Sequence, residues 1–181
     1  MTMTLLIGGA RSGKSSLAVD IGHRHEAAGI AVTYIATAPE LDADDDMAER
    51  IGRHRSERPE TWSTIEEEAD LAGALGRVDS GLAIVDCLTL WTSNLMWRDL
   101  SDEAIFDLAQ FTATVAAERD EPTVVITNEV GLGVHPETDL GRRYRDVLGR
   151  VNQTWASVAD PTLLLVAGQA TPLVDPWNHL T

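Results

Sequence analysis

The stretch Leu5-Leu6-Ile7-Gly8-Gly9-Ala10-Arg11-Ser12-Gly13-Lys14-Ser15-Ser16-Leu17-Ala18 decides the reading of this chain. Its apolar start reads as a buried strand. Its middle fits the Walker A pattern, glycine, four residues, then glycine-lysine-serine, and a helical pattern runs on from Lys14 to Ala28. In such a loop, backbone N–H groups point at phosphate oxygens, and glycine lets the main chain come close. Lys14 is placed to reach the outer phosphates and the Ser15 hydroxyl to hold magnesium. The spacing alone would also suit an ordinary glycine turn. A strand before it and a helix after it are the context that a phosphate loop requires.

Outward from the loop, four more segments read as strands: Ala31 to Ala36, Leu82 to Asp86, Thr123 to Thr127 and Thr162 to Ala167. Helical patterns cover Asp44 to Arg55, Glu66 to Leu75, Asp102 to Glu118 with Ser101 as its cap, and Asp139 to Val158. Cys87 to Trp97 reads as a further apolar helix. Strands alternating with helices predict an α/β fold, a P-loop NTPase-like three-layer sandwich with a mostly parallel central sheet. Residues 1–181 read as a single P-loop nucleotide-binding transferase domain, with 170–181 as an irregular tail. Ligands bind such sheets at the carboxyl ends of the strands. Gly8 to Ser15, Thr37-Ala38-Pro39, Asp86 and Asn128-Glu129 all fall there.

Composition narrows the function. A formal net charge of -15 argues against nucleic-acid or anionic-membrane partners. No apolar run approaches the length of a membrane span, and the start lacks the pattern of a signal peptide. With a single cysteine, Cys87, no internal disulfide forms, and the expected compartment is the cytoplasm. Lys14 is the one lysine, beside 13 arginines that concentrate at Arg50, Arg53, Arg55 and Arg58 and again at Arg142, Arg143, Arg145 and Arg150. Such concentrations fit either anion sites or salt bridges with neighbours such as Glu49, Glu57 and Asp146.

Two further residues carry chemistry. Asp86 ends an apolar strand, where an acid that orients magnesium belongs, although a strand-end aspartate also serves as a helix cap. His54 stands among four arginines. Nearby positive charge favours its neutral imidazole, whose lone pair attacks phosphorus while guanidinium groups hold the displaced phosphates. The plainer alternative is a histidine on a surface helix. Cys87 reads as buried packing, and Trp91, Trp97 and Trp155 as core or interface residues.

Taken together, the loop Gly8 to Ser15, Tyr34-Ile35-Ala36-Thr37-Ala38, Arg50-Ile51 with His54-Arg55, Arg58-Pro59 and Trp62, Thr127-Asn128-Glu129-Val130-Gly131 with Pro136-Glu137, and Arg143 to Arg145-Asp146 with Gly149-Arg150-Val151-Asn152-Gln153 resemble one family. It is the bifunctional adenosylcobinamide kinase / adenosylcobinamide-phosphate guanylyltransferase family of cobalamin biosynthesis. The resemblance implies two reactions. The first phosphorylates adenosylcobinamide with ATP or GTP. The second transfers GMP from GTP through a histidine-GMP intermediate to give adenosyl-GDP-cobinamide.

Carried over by position, the resemblance makes His54 and Lys14 catalytic. It places nucleotide contacts on Gly8, Gly9, Ala10, Arg11, Ser12, Gly13, Lys14, Ser15, Thr37, Ala38, Pro39, Arg55, Ser56, Glu57, Arg58, Glu66 and Asp86. Glu67 is an alternative to its neighbour Glu66. Magnesium falls to Ser15 and Asp86, directly or through water. Asn128, Glu129, Arg142, Arg143, Arg145 and Asn152 are candidates for the cobinamide side. The resemblance also implies a homotrimer. Two other readings stay open on the sequence: a single-activity P-loop kinase for a small molecule, and a GTP-hydrolysing regulatory switch. No Asn-Lys-x-Asp guanine-reading motif supports the switch.

Overall fold

The apolar runs lie side by side in one seven-stranded sheet of order β3-β2-β4-β5-β1-β6-β7. A computed structural model describes residues 3–38 and 59–180. Its strands are β1 (Met3–Gly8), β2 (Val32–Ala36), β3 (Ser63–Glu66), β4 (Leu82–Asp86), β5 (Thr123–Asn128), β6 (Thr162–Val166) and β7 (Gln169–Leu173). All neighbours pair in parallel except β6 with β7. The helices are α1 (Lys14–Ala27), α2 (Leu71–Gly76), α3 (Leu88–Trp97), α4 (Asp102–Ala117) and α5 (Asp139–Ala156).

Strands buried on both faces need no polar alternation, which is why β4 and β5 read as unbroken apolar runs. Successive side chains still go to opposite faces. Leu5, Ile35, Ala83, Val85 and Val125 pack one core with Leu71, Leu88, Trp91, Ile105, Val151 and Trp155 from α2 to α5. Leu6, Tyr34, Leu82, Ile84, Val124 and Ile126 pack the other with Ala18 of α1 and with Trp62. Three layers result, as the sequence predicts. Helix α5 shows the pattern that drives this. Val147, Leu148, Val151, Asn152 and Trp155 form one buried stripe at helical spacing. Local caps mark the ends as expected, with the Ser101 side chain accepting from the Ala104 amide at 3.3 Å.

Two expectations are corrected. Glu66 does not start a helix. It ends the short strand β3, paired with Ala36, and the helix begins only at Leu71 behind the cap Asp70. The tail 170–181 is not wholly irregular either. Ala167 and Gly168 have φ of 51° and 76°, the two positive values of a type I′ hairpin turn, and β7 returns antiparallel along β6. Pro172 is tolerated there because β7 is the edge strand and needs no donor on its outer side. A one-turn 3-10 helix, Pro176–His179, follows. The helix expected at Asp44 to Arg55 lies outside the described residues.

Strand order sets the site. β5 lies between β1, which carries the glycine loop, and β4, which ends at Asp86. Gly8 is level with Asn128, and Asp86 with Ile126. The carboxyl ends of three neighbouring strands therefore present the loop, Asn128-Glu129 and Asp86 along one edge.

Candidate nucleotide-binding site

The loop between β1 and α1 is shaped by close approach. A Cβ on Gly8 would stand 2.3 Å from the Leu165 carbonyl oxygen, so no side chain fits. Gly13, at φ 101°, turns the chain into α1, and a Cβ there would meet the Gly168 backbone at 3.3 Å. The hairpin turn between β6 and β7 braces the loop, with the Gly168 amide donating to Ser12 C=O at 2.9 Å. Gly13 has no side chain to cap α1, and the first turn of that helix holds no acid. Its first-turn N–H groups, uncapped by a side chain among the described residues, and the positive end of the helix dipole form an anion site.

Lys14 is almost fully buried, and its Nζ donates to Gly8 C=O at 3.0 Å, to Gly9 C=O at 2.7 Å and to Ser12 Oγ at 3.3 Å. Burial lowers its pKa from the ordinary 10.5, against the pull of Cys87 and Asp86 nearby. Its charge thus lies beneath the loop, beside the end of β4. Asp86 accepts a hydrogen bond from the Tyr34 hydroxyl. A tyrosine inside an apolar strand needs such a partner, which is the one signal the sequence offered for it. Among the described residues no three histidines, cysteines or acids converge as a metal cage. The Ser15 hydroxyl and the Asp86 carboxylate are oxygen donors that need phosphate oxygens to complete a shell. That chemistry fits magnesium bound together with a nucleotide.

Thr37, expected to be a nucleotide contact, has its side chain engaged within the protein. It is fully buried, and its hydroxyl donates to Cys87 C=O and accepts from the Cys87 amide, both at 2.7 Å. Its carbonyl accepts from Asn94 Nδ2 at 2.8 Å. Thr37 therefore stitches the end of β2 to the end of β4, and Asn94, which the sequence did not single out, completes the stitch. Burial pushes the Cys87 thiol up to about 12, as befits packing rather than nucleophilic chemistry. Ala38, half-buried, follows.

The two neighbouring glutamates lie in different surroundings. Glu67 is spent locally, its carboxylate accepting from the Asp70 amide at 3.0 Å and the Ala69 amide at 3.2 Å and meeting Arg77 at 3.4 Å. Against its own burial, these contacts hold Glu67 below the usual carboxylate range. Glu66 stays at the carboxyl end of β3.

The second arginine cluster does not converge on one anion site. Arg142 donates to Pro136 C=O, Glu137 C=O and Asp139. Arg143 ties α5 to α4 through Asp102 at 2.8 Å and Leu100 C=O at 2.9 Å. Arg145 pairs with Asp146 and with Nδ1 of His135, and Arg150 lies over the Phe106 ring at 4.6 Å. These guanidinium groups meet carboxylates, carbonyls, a histidine and an aromatic ring at separate places. Asn152 is buried, and it holds β5 in place rather than facing outward. Trp91 and Trp155 are core residues, while Trp97 is exposed. Pro39, His54, Arg55, Ser56, Glu57 and Arg58 lie outside the described residues. Trp62, four residues after Arg58 in the sequence, has its ring on Gly22 of α1.

Fold and loop define a P-loop nucleotide-binding protein. Solved structures agree in fold: the flagellar accessory protein FlaH from Methanocaldococcus jannaschii (TM-score 0.53, 15% identity, covering 95% of this chain and 77% of that one) and a KaiC-like protein from Pyrococcus horikoshii (TM-score 0.53, 15%, covering 90% and 70%). The chain belongs to the cobinamide kinase / cobinamide phosphate guanyltransferase family, whose pattern matches residues 4–173. It is 39% identical over 171 residues to the bifunctional adenosylcobalamin biosynthesis protein CobP of Pseudomonas aeruginosa, covering 93% of this chain and 95% of that protein. It is 38% identical over 186 residues to the bifunctional adenosylcobalamin biosynthesis protein CobU of Escherichia coli, covering 92% and 96%. Among the described residues no helix is long and apolar enough to cross a membrane.

Proposed function

We propose that this protein phosphorylates adenosylcobinamide with ATP or GTP and then transfers GMP from GTP to the new phosphate. One domain carries both steps. The observation that carries the reading is the glycine loop with an open helix N-terminus, set beside Asp86, in a chain of this family.

The loop amides of Gly8 to Ser15 bind the nucleotide phosphates, and Lys14 swings from the loop carbonyls to the outer phosphates. Ser15 and Asp86 hold magnesium, which neutralises phosphate charge when bound. Ala38 and Glu66 border the nucleotide at the ends of β2 and β3, as does the main chain at Thr37, and Pro39 is a further nucleotide contact. In the first step the cobinamide hydroxyl oxygen bonds to the γ-phosphorus and the nucleoside diphosphate leaves. In the second, the His54 imidazole attacks the α-phosphorus of GTP and pyrophosphate leaves. The phosphate of adenosylcobinamide phosphate then attacks the same phosphorus and releases His54. Arg55 and Arg58 hold the departing pyrophosphate, with Ser56 and Glu57 beside them. A covalent intermediate divides a transfer between two anions into two displacements. The working form is a homotrimer in the cytoplasm.

Incubation with α-labelled GTP and magnesium tests this. Acid-labile label is expected on the wild-type protein and not on His54→Ala. Label on neither protein, with cobinamide still phosphorylated, would leave a kinase alone.

A further inference from the structure

A kinase step needs a group to take the proton from the attacking hydroxyl. Asp86 is poorly suited, because its carboxylate already accepts from Tyr34 and is the acid assigned above to magnesium. The neighbouring strand offers another acid. Glu129 is the first residue beyond β5, one position past the pair Gly8 and Asn128. Its amide donates to Gly8 C=O at 3.1 Å, the same oxygen that accepts from Lys14 Nζ at 3.0 Å. The Lys14 ammonium and the Glu129 main chain thus share one carbonyl of the phosphate loop.

The backbone leading to Glu129 is clamped from both sides. The Asn128 amide donates to Thr89 Oγ1 of α3 at 2.9 Å, and its carbonyl accepts from Asn152 Nδ2 of α5 at 3.0 Å. Asn152 Oδ1 in turn accepts from the Thr127 hydroxyl at 2.7 Å. A buried amide with both ends satisfied fixes the chain as few other devices do. Past the acid, the Gly131 amide donates to Glu129 Oε1 at 2.5 Å. A Cβ at 131 would lie 2.8 Å from that oxygen, so glycine there admits the contact. No lysine, arginine or histidine pairs with Glu129 among the described residues, and its side chain is half-buried. A held carboxylate without a cation partner among the described residues, on a residue whose main chain is bonded to the phosphate loop, has the properties of a general base.

We infer that Glu129 is the catalytic base of the phosphorylation step, an assignment that rests on the kinase half of the function above. As the hydroxyl oxygen of cobinamide forms its bond to the γ-phosphorus, the proton passes to the Glu129 carboxylate. The bond from the γ-phosphorus to the bridging oxygen breaks, and its electron pair leaves with the nucleoside diphosphate. Glu129 then returns the proton to water. The guanylyl step makes no such demand, because its acceptor is already an ionised phosphate. Glu129 therefore separates the two reactions that share this loop.

The experiment compares wild type, Glu129→Gln and Glu129→Asp in two assays: phosphate transfer to adenosylcobinamide, and GMP transfer to adenosylcobinamide phosphate supplied ready-made. Glu129→Gln is expected to lower kcat for phosphorylation about 100-fold or more, with KM for both substrates within about threefold and the acidic limb of the pH profile lost. Glu129→Asp recovers part of the phosphorylation rate, and in Glu129→Gln phosphorylation falls by a much larger factor than GMP transfer. Phosphorylation within about threefold of wild type in Glu129→Gln overturns the assignment. So does an equal loss in both assays, which would mark Glu129 as a mere support for Gly8. A wild-type protein that phosphorylates no cobinamide, yet takes label from α-labelled GTP, removes the kinase reading itself.

Discussion

Replacing glycine by alanine inside a helix ordinarily stabilises a protein by about 0.5–1 kcal/mol. At Gly22 the opposite is expected. This residue lies in the buried face of α1, and a Cβ built on it would stand 2.1 Å from Trp62 Cη2 and 2.6 Å from Cζ2. Real atoms do not approach so closely, so either α1 shifts or the indole leaves. The indole is 6% exposed and is also held by the His23 ring at 5.3 Å. Overpacking of this kind costs roughly 1–3 kcal/mol, and expelling the ring altogether about 3–5. Set against the gain in helix propensity, Gly22→Ala should lose about 2 kcal/mol, or roughly 4–8 °C in Tm for a chain of this size.

Thermal and denaturant unfolding of four proteins decide it: wild type, Gly22→Ala, Trp62→Ala and the double variant. With the indole gone, alanine at 22 should stabilise by about 0.5–1 kcal/mol, so the sign of the substitution reverses between backgrounds. A Gly22→Ala protein more stable than wild type would refute the packing of Trp62 on α1. The contact also bears on function. Trp62 follows the sequence that carries His54, and labelling by α-labelled GTP is expected to fall in Gly22→Ala.

Two further outcomes follow from buried groups. Burial lowers Lys14 below 10.5, so between that lowered value and 10.5 the unfolded chain holds a proton that the native chain lacks. Stability from this group is therefore smallest below the native value and rises with pH across the window. Lys14→Met should flatten that alkaline rise, and parallel curves from denaturant unfolding of both proteins over alkaline pH would contradict it. Cys87, buried with its thiol pushed up to about 12, is expected to resist alkylation in the native protein at neutral pH and to react fully once unfolded, as mass spectrometry would show. Rapid native labelling would mean that the end of β4 opens.

The sequence by itself determined what depends on near neighbours along the chain. The glycine loop, the long apolar strands, the cap at Ser101 and the buried stripe of α5 are patterns of a few residues, and each was legible. So was the family, through motifs spread from Gly8 to Gln153. The short strand β3 escaped because four exposed or half-exposed residues carry no apolar run, and its helix partner was read into it. The edge strand β7 escaped because Pro172 and an Ala-Gly turn hide a hairpin that the sheet's free edge permits. Tertiary structure alone decided the order of the strands, and so brought Glu129 beside Gly8 and Lys14. It also decided what each guanidinium of Arg142, Arg143 and Arg145 would meet, and turned Thr37 and Asn152 inward as stitches. A charged or amide side chain takes whichever partner the fold carries within hydrogen-bond reach. That proximity is a property of the packed sheet and helices, and no local pattern encodes it.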